Sequence, residues 1–260
     1  QFTPTGNAVI TATQYNYSPR LWDAVTGKPK LTFEDSDEQI SSAAAVNAAG
    51  TRVAAGDYQN RVVQWDLHTG RIVGRSPASS AGSVIRAVSY LPNSNSIAAA
   101  STDGAVRIWD AAHLNGRPLY RLGRSGSSLA QALAPSPDGS YLAVVDFAHH
   151  ISIWRVKGAQ LVRQIAGPNT TVSSATFSPD GHLLAVAGAD AAVHIWDVQS
   201  GHPVATLRAH ADVVNSVQFA KDGTHILTSS EDGTSALVTC DTCASFQTVL
   251  AKARALDSSS

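Results

Sequence analysis

The stretch Val106-Arg107-Ile108-Trp109-Asp110 decides the fold, because close variants of it recur along the whole chain. Each variant is a short run of β-forming residues that ends in tryptophan, and aspartate follows in four of the five cases. The five tryptophans are Trp22, Trp65, Trp109, Trp154 and Trp196. Successive tryptophans lie 42 to 45 residues apart. A period of this size indicates an array of similar supersecondary units.

A tight turn precedes the tryptophans at a fixed distance. Ser136-Pro137-Asp138-Gly139 and Ser178-Pro179-Asp180-Gly181 are typical turn sequences, because proline fixes φ and glycine closes the bend. In both units the glycine stands 15 residues before the tryptophan. Counting 15 residues onward from Gly223 leads to Val238, so the sequence predicts a sixth unit in which the tryptophan is replaced.

Each unit contains four predicted strands and no segment between them that is long enough for a helix. Four strands in ~43 residues are typical of a propeller blade, whereas a parallel sheet would need connecting helices. We therefore predict an all-β propeller of four-stranded blades, with small apolar inner strands as the least exposed. The propeller domain spans residues 1–250, with units near 1–35, 36–78, 79–122, 123–165, 166–208 and 209–250. Six units fit either a six-bladed ring or most of a seven-bladed ring.

The two ends of the chain depart from this pattern. Phe2 matches the last residue of a first strand, so most of that strand is missing from the first unit. Residues 251–260 form a C-terminal tail. From Ser245 onward, Phe246, Val249 and Leu250 have the spacing of an amphipathic helix, although alternation in the same stretch also allows an outer strand.

With these motifs in view, the chain resembles the WD-repeat (WD40) β-propeller family over about residues 2 to 250. The resemblance implies a buried polar set in each blade, made of a histidine, a serine or threonine, an aspartate and the tryptophan. The matching aspartates here are Asp103, Asp190 and Asp232, and the matching histidine is His210. No unit holds the full set. We still expect Trp109, which follows Asp103, to be buried and hydrogen-bonded through its indole N–H.

The end of the chain carries a narrower resemblance. Asp232-Gly233-Thr234, Cys240-x-x-Cys243 and residues 246–256 are similar to the end of bacterial proteins that join a STAND-class signalling NTPase to C-terminal WD repeats. That resemblance implies a cytoplasmic bacterial signalling protein with an NTPase module upstream in the same parent chain. The sequence itself holds no G-x-x-x-x-G-K-[ST] loop, so the NTPase does not lie within these residues.

Composition and motifs argue against several classes of function. Lys and Arg number 19 against 20 Asp and Glu, so the net charge of −1 offers no general attraction for nucleic acid or anionic membranes. No apolar run approaches the ~20 residues of a membrane span. A nucleophile elbow, a zinc-protease helix and a dinucleotide fingerprint are all absent from the sequence. We therefore predict no enzyme, no cofactor, no nucleic-acid partner and no membrane partner.

The sharpest local motif is Cys240-x-x-Cys243. Two thiols at this spacing suit a redox pair or half of a tetrahedral metal site. The nearest histidines, His210 and His225, do not stand at ligand spacing. We therefore favour a structural pair, reduced or disulfide-linked, and predict no metal site.

The candidate binding residues lie in the loops before the tryptophan strands and between blades, which share one face in a propeller of this kind. Aromatic residues and arginine are typical anchors of interfaces, and the acidic run 34–38 adds local negative charge. The candidates are Tyr15, Tyr17, Asp35, Asp37, Asp57, Tyr58, Arg61, Phe147, His149 and His150. This pattern predicts a scaffold that binds a protein or peptide. The alternatives are an enzyme with a site in the central channel and a purely structural spacer.

Overall fold

The computed structural model describes residues 1–13, 17–34, 44–78, 82–123, 129–240 and 243. These residues hold 22 β-strands in six antiparallel sheets and no α-helix. Four sheets have four strands, and the first and the last have three. In the first sheet a bridge between Phe2 and Val9 stands where the other sheets have their first strand. The predicted helix from Ser245 and the tail 251–260 lie outside the described residues.

The strands follow the order of the chain within every sheet. Sheets one and two contain β1 (Ala8–Thr13), β2 (Tyr17–Asp23), β3 (Pro29–Thr32), β4 (Ala45–Val46), β5 (Arg52–Gly56), β6 (Val62–Asp66) and β7 (Ile72–Arg75). Sheets three and four contain β8 (Ile85–Leu91), β9 (Ser96–Ser101), β10 (Val106–Asp110), β11 (Tyr120–Leu122), β12 (Ala130–Pro135), β13 (Tyr141–Asp146), β14 (His150–Arg155) and β15 (Gln160–Ala166). Sheets five and six contain β16 (Val172–Phe177), β17 (Leu183–Gly188), β18 (Val193–Asp197), β19 (Pro203–Leu207), β20 (Val214–Phe219), β21 (His225–Ser230) and β22 (Ser235–Thr239).

The sheets are arranged around a common axis as the blades of a propeller. The first strands of consecutive sheets contact one another, from β4 to β8, β8 to β12, β12 to β16 and β16 to β20. Each first strand therefore lies innermost in its sheet. The prediction of an all-β propeller with six repeat units is confirmed, including the sixth unit that has Val238 in place of tryptophan.

Burial is greatest in the second strands and not in the innermost ones. Every residue of β17 is buried, whereas buried and partly exposed residues alternate along β12. The prediction that the inner strands are least exposed is therefore wrong. One side of the inner strands faces the solvent at the axis, while the second strand of an interior sheet is covered by neighbouring sheets on both sides.

The core consists of apolar clusters between consecutive sheets. Among the described residues, these clusters join sheets one and two, two and three, three and four, four and five, and five and six. Alanines such as Ala54, Ala98 and Ala185 fill the centres of the second strands. Their small side chains let adjacent sheets approach closely, which strengthens the packing between sheets.

The Ser-Pro-Asp-Gly turns form as the sequence predicts. Gly139 adopts a φ of 73°, and a Cβ atom there would lie 2.0 Å from the carbonyl oxygen of Pro92 in the preceding sheet. The Ser136 hydroxyl accepts the backbone N–H of Tyr141 at 2.9 Å and donates to Asp138. Glycine is therefore required both for the conformation of this turn and for the close approach of two sheets.

Candidate functional site

The candidate site is the face that carries the hairpins between second and third strands. In four of these hairpins a backbone N–H donates to the carbonyl oxygen of the residue just before the first strand of the same sheet. Examples are Phe147 to Leu129 and Thr102 to Val84, both at 2.9 Å. The hairpins and the connections between sheets therefore emerge together, as predicted. We call this surface the rim face and define its hairpins as residues 57–61, 101–105, 146–150, 188–192 and 230–234.

All five hairpins have the same backbone turn. One equivalent position in every hairpin adopts a left-handed backbone conformation. The residues there are Asn60, Gly104, His149, Ala191 and Gly233, with φ between 61° and 82°. A tight hairpin turn needs a positive φ, for which glycine and asparagine are well suited. The rim face therefore repeats one rigid framework that holds different side chains.

In the second sheet the hairpin is fixed by a buried aspartate. Asp57 accepts the backbone N–H groups of Gln59 at 2.9 Å and Arg61 at 2.8 Å, and its other oxygen accepts Nε of Arg61 at 2.7 Å. The Asp57 side chain is fully buried, and that of Arg61 is mostly buried. Both residues were candidates for partner contact, but this geometry assigns Asp57 to holding the loop, because its carboxylate does not reach the surface.

The fourth sheet repeats this arrangement with weaker partners. Asp146 accepts the backbone N–H of His150 at 2.9 Å, and Nδ1 of His150 lies 3.5 Å from its other carboxylate oxygen. Nδ1 of His149 lies 3.1 Å from the carbonyl oxygen of Thr170, in the connection to the fifth sheet. His150 is therefore the more accessible of the two predicted histidines, and His149 links neighbouring loops.

In the third and fifth sheets the hairpin aspartate stands two positions later than Asp57 and Asp146 do in theirs. Asp103 accepts the backbone N–H of Ala105 at 3.0 Å and pairs with the guanidinium of Arg107 on the tryptophan strand. Burial alone would raise the pKa of Asp103, but the hydrogen bonds from Arg107 and Ala105 outweigh burial and lower the pKa to about 2. Asp190 pairs in the same way with Nε2 of His194 at 2.9 Å.

Two aromatic side chains project from the rim face. Tyr58 is 39% exposed and Phe147 is 50% exposed, and each directly follows the aspartate that begins its hairpin. Leu129, whose carbonyl accepts the Phe147 N–H, is also exposed and extends the apolar surface beside Phe147. The structure therefore presents an aromatic residue at the same position of two alternate sheets.

The remaining rim candidates cannot be placed by the structure. Tyr15, Asp35 and Asp37 lie outside the described residues, as does the side chain of Tyr17. Of the acidic run 34–38, only Glu34 is described. It is exposed, and its carbonyl oxygen accepts the indole N–H of Trp65 at 3.2 Å.

The tryptophans of the repeat serve mainly as core residues. Trp65, Trp109 and Trp196 are buried, and Trp22 and Trp154 are partly buried. The burial expected of Trp109 is correct, but the expected hydrogen bond is not. Its Nε1 atom has no partner among the described residues. In the first sheet Trp22 donates to Thr11 at 2.8 Å, whereas the equivalent residue in the third sheet is Ala99, which has no hydroxyl.

The sixth sheet holds most of the polar set that the sequence resemblance implies. His210 places Nδ1 3.0 Å from the Asp232 carboxylate and Nε2 2.7 Å from the Thr228 hydroxyl. The side chain of His210 is almost completely buried. Hydrogen bonds from Thr234, Ala211 and His210 lower the pKa of Asp232. This network stabilises a sheet that lacks the tryptophan.

Cys240 and Cys243 form a disulfide, and both residues are buried. They pack in the cluster between the fifth and sixth sheets, beside Val217 and Phe219. The two residues are thus linked and packed in the core, and a purely structural role for them stays a prediction. The part of the chain that the structure describes contains no group of three or more His, Cys, Asp or Glu residues that could hold a metal ion.

The first strands at the axis carry few side chains that could act as acids, bases, nucleophiles or metal ligands. Within the described segments, β8, β12, β16 and β20 contain no Asp, Glu, His, Cys or Lys residue. Strand β8 contributes Arg86 as a charged group. Among the described residues, no helix has the length and hydrophobicity needed to cross a bilayer.

Comparisons with known proteins match this architecture. The model of the anaphase-promoting complex subunit 4 WD40 domain matches residues 133–222, and the model of the WD domain, G-beta repeat, matches residues 73–110.

The small ribosomal subunit protein RACK1y of Oryza sativa subsp. japonica is 26% identical over 61% of this chain and 47% of its own length. A coronin-like protein of Saccharomyces cerevisiae is 27% identical over 42% of this chain and 17% of its own length. The chain thus spans about half of the first relative and less of the second. Repeat, sheet topology and matched segments together show that the chain folds as a WD40-type β-propeller.

Proposed function

We propose that this propeller is a non-catalytic platform that binds a protein or peptide through its rim face. The observation that carries the proposal is the pair of exposed aromatics, Tyr58 and Phe147, at equivalent positions of two hairpins. Aromatic residues bury large areas with few rotatable bonds, which makes them effective interface anchors. Binding to a flat rim also suits a partner larger than a small metabolite.

The rigidity of the hairpins supports this proposal. Asp57 and Asp146 stand directly before the aromatic residue and accept backbone N–H groups that follow it. A loop that is already ordered loses less conformational entropy when a partner binds. Tyr58 and Phe147 are therefore displayed on preorganised loops, which favours recognition over a purely structural role.

The enzyme alternative has less support. A site in the central channel would need acids, bases or nucleophiles on the first strands, and the described first strands carry mainly apolar and hydroxyl side chains. General acid–base and metal-assisted chemistry both require titratable or ligating groups that converge. We therefore propose that the platform acts by binding alone.

A more specific version of the proposal concerns signalling. The C-terminal resemblance to STAND-class proteins favours a cytoplasmic bacterial platform that serves an NTPase module of the same parent chain. The relatives reported above include a protein named as part of the small ribosomal subunit, which is consistent with WD40 propellers acting inside larger assemblies. Both in a signalling protein and in a larger assembly, the proposed partner of the rim face is a protein surface.

The proposal is tested by affinity capture with matched variants. The bait carries Tyr58→Ala and Phe147→Ala, and the control bait carries Leu119→Ala and Leu161→Ala, which are similarly exposed but lie away from the hairpins. We expect recovery of the bound protein to fall about tenfold with the rim variant, equivalent to ~1.4 kcal/mol, and to stay unchanged with the control. A third bait with Asp35→Asn and Asp37→Asn measures the contribution of the acidic run. Undiminished recovery with the rim variant, alongside an unchanged melting curve, would contradict the proposal.

A further inference from the structure

A groove of about 400 Å³ opens between the fourth and fifth sheets. It lies beside the Ser-Pro-Asp-Gly turn of the fifth sheet, and therefore on the face opposite the rim face. Its lining includes the buried residues Ile153 and Phe177 and the partly buried residues Tyr141 and Val198. Val162 of β15 also lines the groove and is 47% exposed. We call this cavity the lower groove.

A β-bulge in the outer strand brings Val162 to the lower groove. In the pairing of β14 with β15, Ile153 lies opposite Arg163 and Trp154 lies opposite Leu161, so Val162 is the extra residue. A bulged residue bends its strand and turns its side chain in a new direction. The same bulge recurs in three other sheets, where the extra residues are Lys30, Val73 and Val204. The repeat therefore produces equivalent places between other pairs of sheets.

Between the second and third sheets, a leucine of the chain itself fills the equivalent place. Gly74 is the equivalent of Arg163, because each follows the bulged residue of its outer strand. A Cβ atom on Gly74 would lie 3.4 Å from Cδ1 of Leu114, which comes from the connection between β10 and β11. Leu114 is buried in the cluster that joins the two sheets. An aliphatic side chain thus closes this copy of the groove.

Between the fifth and sixth sheets, the disulfide fills the equivalent place. Cys240 is the equivalent of Val198, because the N–H of each donates to the residue just before the second strand of its sheet, at 2.7 and 2.9 Å. Cys240 and Cys243 are buried in one cluster with Val204, the equivalent of Val162. Val204 is accordingly only partly exposed. Apolar groups of the chain thus cover two equivalents of the lower groove.

An open copy of the groove lies between the first and second sheets, but its chemistry differs. Lys30 stands there in the place of Val162, and its ammonium pairs with Asp23 at 2.8 Å. The bulged position therefore offers a neutralised cation instead of an apolar side chain. Of the two open grooves, the lower groove is the better receptor for an aliphatic group.

The polar side of the lower groove is cationic. Arg163 and His182 line it and are exposed, and no aspartate or glutamate lines it. Nη1 of Arg163 donates to the carbonyl oxygen of Ser200 at 3.2 Å, which holds the guanidinium beside the groove. The carboxylates of Asp180 and Asp197 accept the backbone N–H groups of His182 and Ser200, at 3.1 and 2.6 Å. Among the described residues no carboxylate pairs with Arg163, so its guanidinium is available to an acidic ligand.

We propose that the lower groove binds a peptide segment of another protein in which an aliphatic side chain of leucine size stands beside a carboxylate. The aliphatic side chain packs against Ile153, Phe177 and Val162, as Leu114 packs in the equivalent place. The carboxylate pairs with Arg163. This site lies on the opposite face from the rim face, and it does not depend on what the rim face binds.

Selection from a library of random heptapeptides displayed on phage tests the proposal. The baits are the native chain, Val162→Glu and the matched control Leu161→Glu, whose position is 44% exposed and does not line the groove. Both substitutions fall on exposed positions, so both variants should keep the native melting temperature. We expect the native chain and the control, but not Val162→Glu, to recover peptides that carry leucine or isoleucine next to aspartate or glutamate. The glutamate placed at position 162 would repel their carboxylates.

Arg163→Gln separates the charge from the apolar contact. Fluorescence anisotropy with a labelled peptide from this selection should show binding about tenfold weaker than to the native chain. An analogue with glutamine or asparagine in place of the peptide's acidic residue should bind the native chain and Arg163→Gln equally. The rim variant, Tyr58→Ala with Phe147→Ala, should bind the acidic peptide as the native chain does. A failure of this site is thereby distinguished from a failure of the rim face.

Hydrogen exchange of the native chain keeps the test independent of how the variants fold. The selected peptide should slow amide exchange in residues 160–163 and 197–201 and leave residues 57–61 unchanged. Protection confined to the rim face would overturn the proposal. So would a selection in which Val162→Glu and the native chain recover the same peptides or none, or peptides without a carboxylate. Sedimentation that shows a dimer disrupted by Val162→Glu would assign the groove to a second copy of the chain and would also overturn it.

Discussion

The hairpins of the second and fourth sheets differ from those of the third and fifth, although their backbone turns are alike. In the former, Asp57 and Asp146 begin the hairpin and an exposed aromatic residue follows. In the latter, Asp103 and Asp190 stand two positions later and pair with a cationic or histidine side chain of the tryptophan strand. The molecule therefore has two versions of one loop, and they alternate from the second sheet to the fifth.

Under the proposed function, this difference assigns stability and recognition to separate residues within a short loop. In both versions a carboxylate pairs with a side chain four positions along the chain. The carboxylates of Asp57, Asp103 and Asp146 also accept backbone N–H groups of the loop. When the carboxylate stands at the start of the loop, the residue after it is Tyr58 in the second sheet and Phe147 in the fourth, and both side chains are substantially exposed. We therefore expect that either side chain can change without loss of the turn.

The largest expected effect concerns the buried ion pair of the third sheet. Asp103→Ala should lower the free energy of unfolding by ~3 kcal/mol, because the Arg107 guanidinium, 8% exposed, would lose its partner. Asp146→Ala should cost less than ~1 kcal/mol, since its partner His150 is about half exposed. Urea titration of the two variants measures the difference. Equal losses would mean that the two versions of the loop are energetically equivalent.

The pH dependence of stability should be affected by the same pair. The pKa of Asp103 is about 2 in the folded protein against a reference of 3.8, so the unfolded chain takes up this proton first as the pH falls. The stabilisation by Asp103 is complete above pH ~4 and is lost between pH ~4 and ~2. The difference in unfolding free energy between the native protein and Asp103→Asn should therefore shrink across this window. A constant difference would argue against an ionised Asp103 as the source of the stability.

The repeat made the sheets predictable, and the reason is physical. Tryptophan spacing and glycine turns specify where strands start and stop, so even β22, which has Val238 for tryptophan, could be placed. The two versions of the hairpin could also have been predicted from the positions of aspartate in the sequence. Gln59 and Ala148 stand where aspartate was expected, but Asp57 and Asp146 lie two residues earlier in the sequence.

Other features could not be predicted from local sequence. Leu227 and Leu237 look like ordinary core residues of a strand pair, and their exposure depends on which sheet lies beside them. The burial of Asp57 likewise depends on the path of Arg61 and the neighbouring loops. Among the described residues the indole N–H of Trp109 lacks a hydrogen-bond partner because Ala99 lies opposite, and the sequence shows this only once the strand register is known.

The smallest expected effect on stability comes from the aromatic residues of the rim face. Tyr58→Ala and Phe147→Ala should each change the free energy of unfolding by no more than ~0.5 kcal/mol, because both side chains are substantially exposed. Glu231→Ala, at the equivalent and exposed position of the sixth sheet, serves as the control. A loss above ~1.5 kcal/mol for either aromatic would show that it supports the fold, contrary to the separation of roles inferred here.

Hydrogen exchange of the propeller with and without its captured partner tests the central claim most directly, because it reports on all hairpins at once. We predict that binding slows amide exchange in residues 57–61 and 146–150, which carry the aromatics, and leaves residues 230–234 unchanged. Protection confined to the outer strands or to the Ser-Pro-Asp-Gly turns on the opposite face would contradict the account, since the partner would then dock away from the rim face.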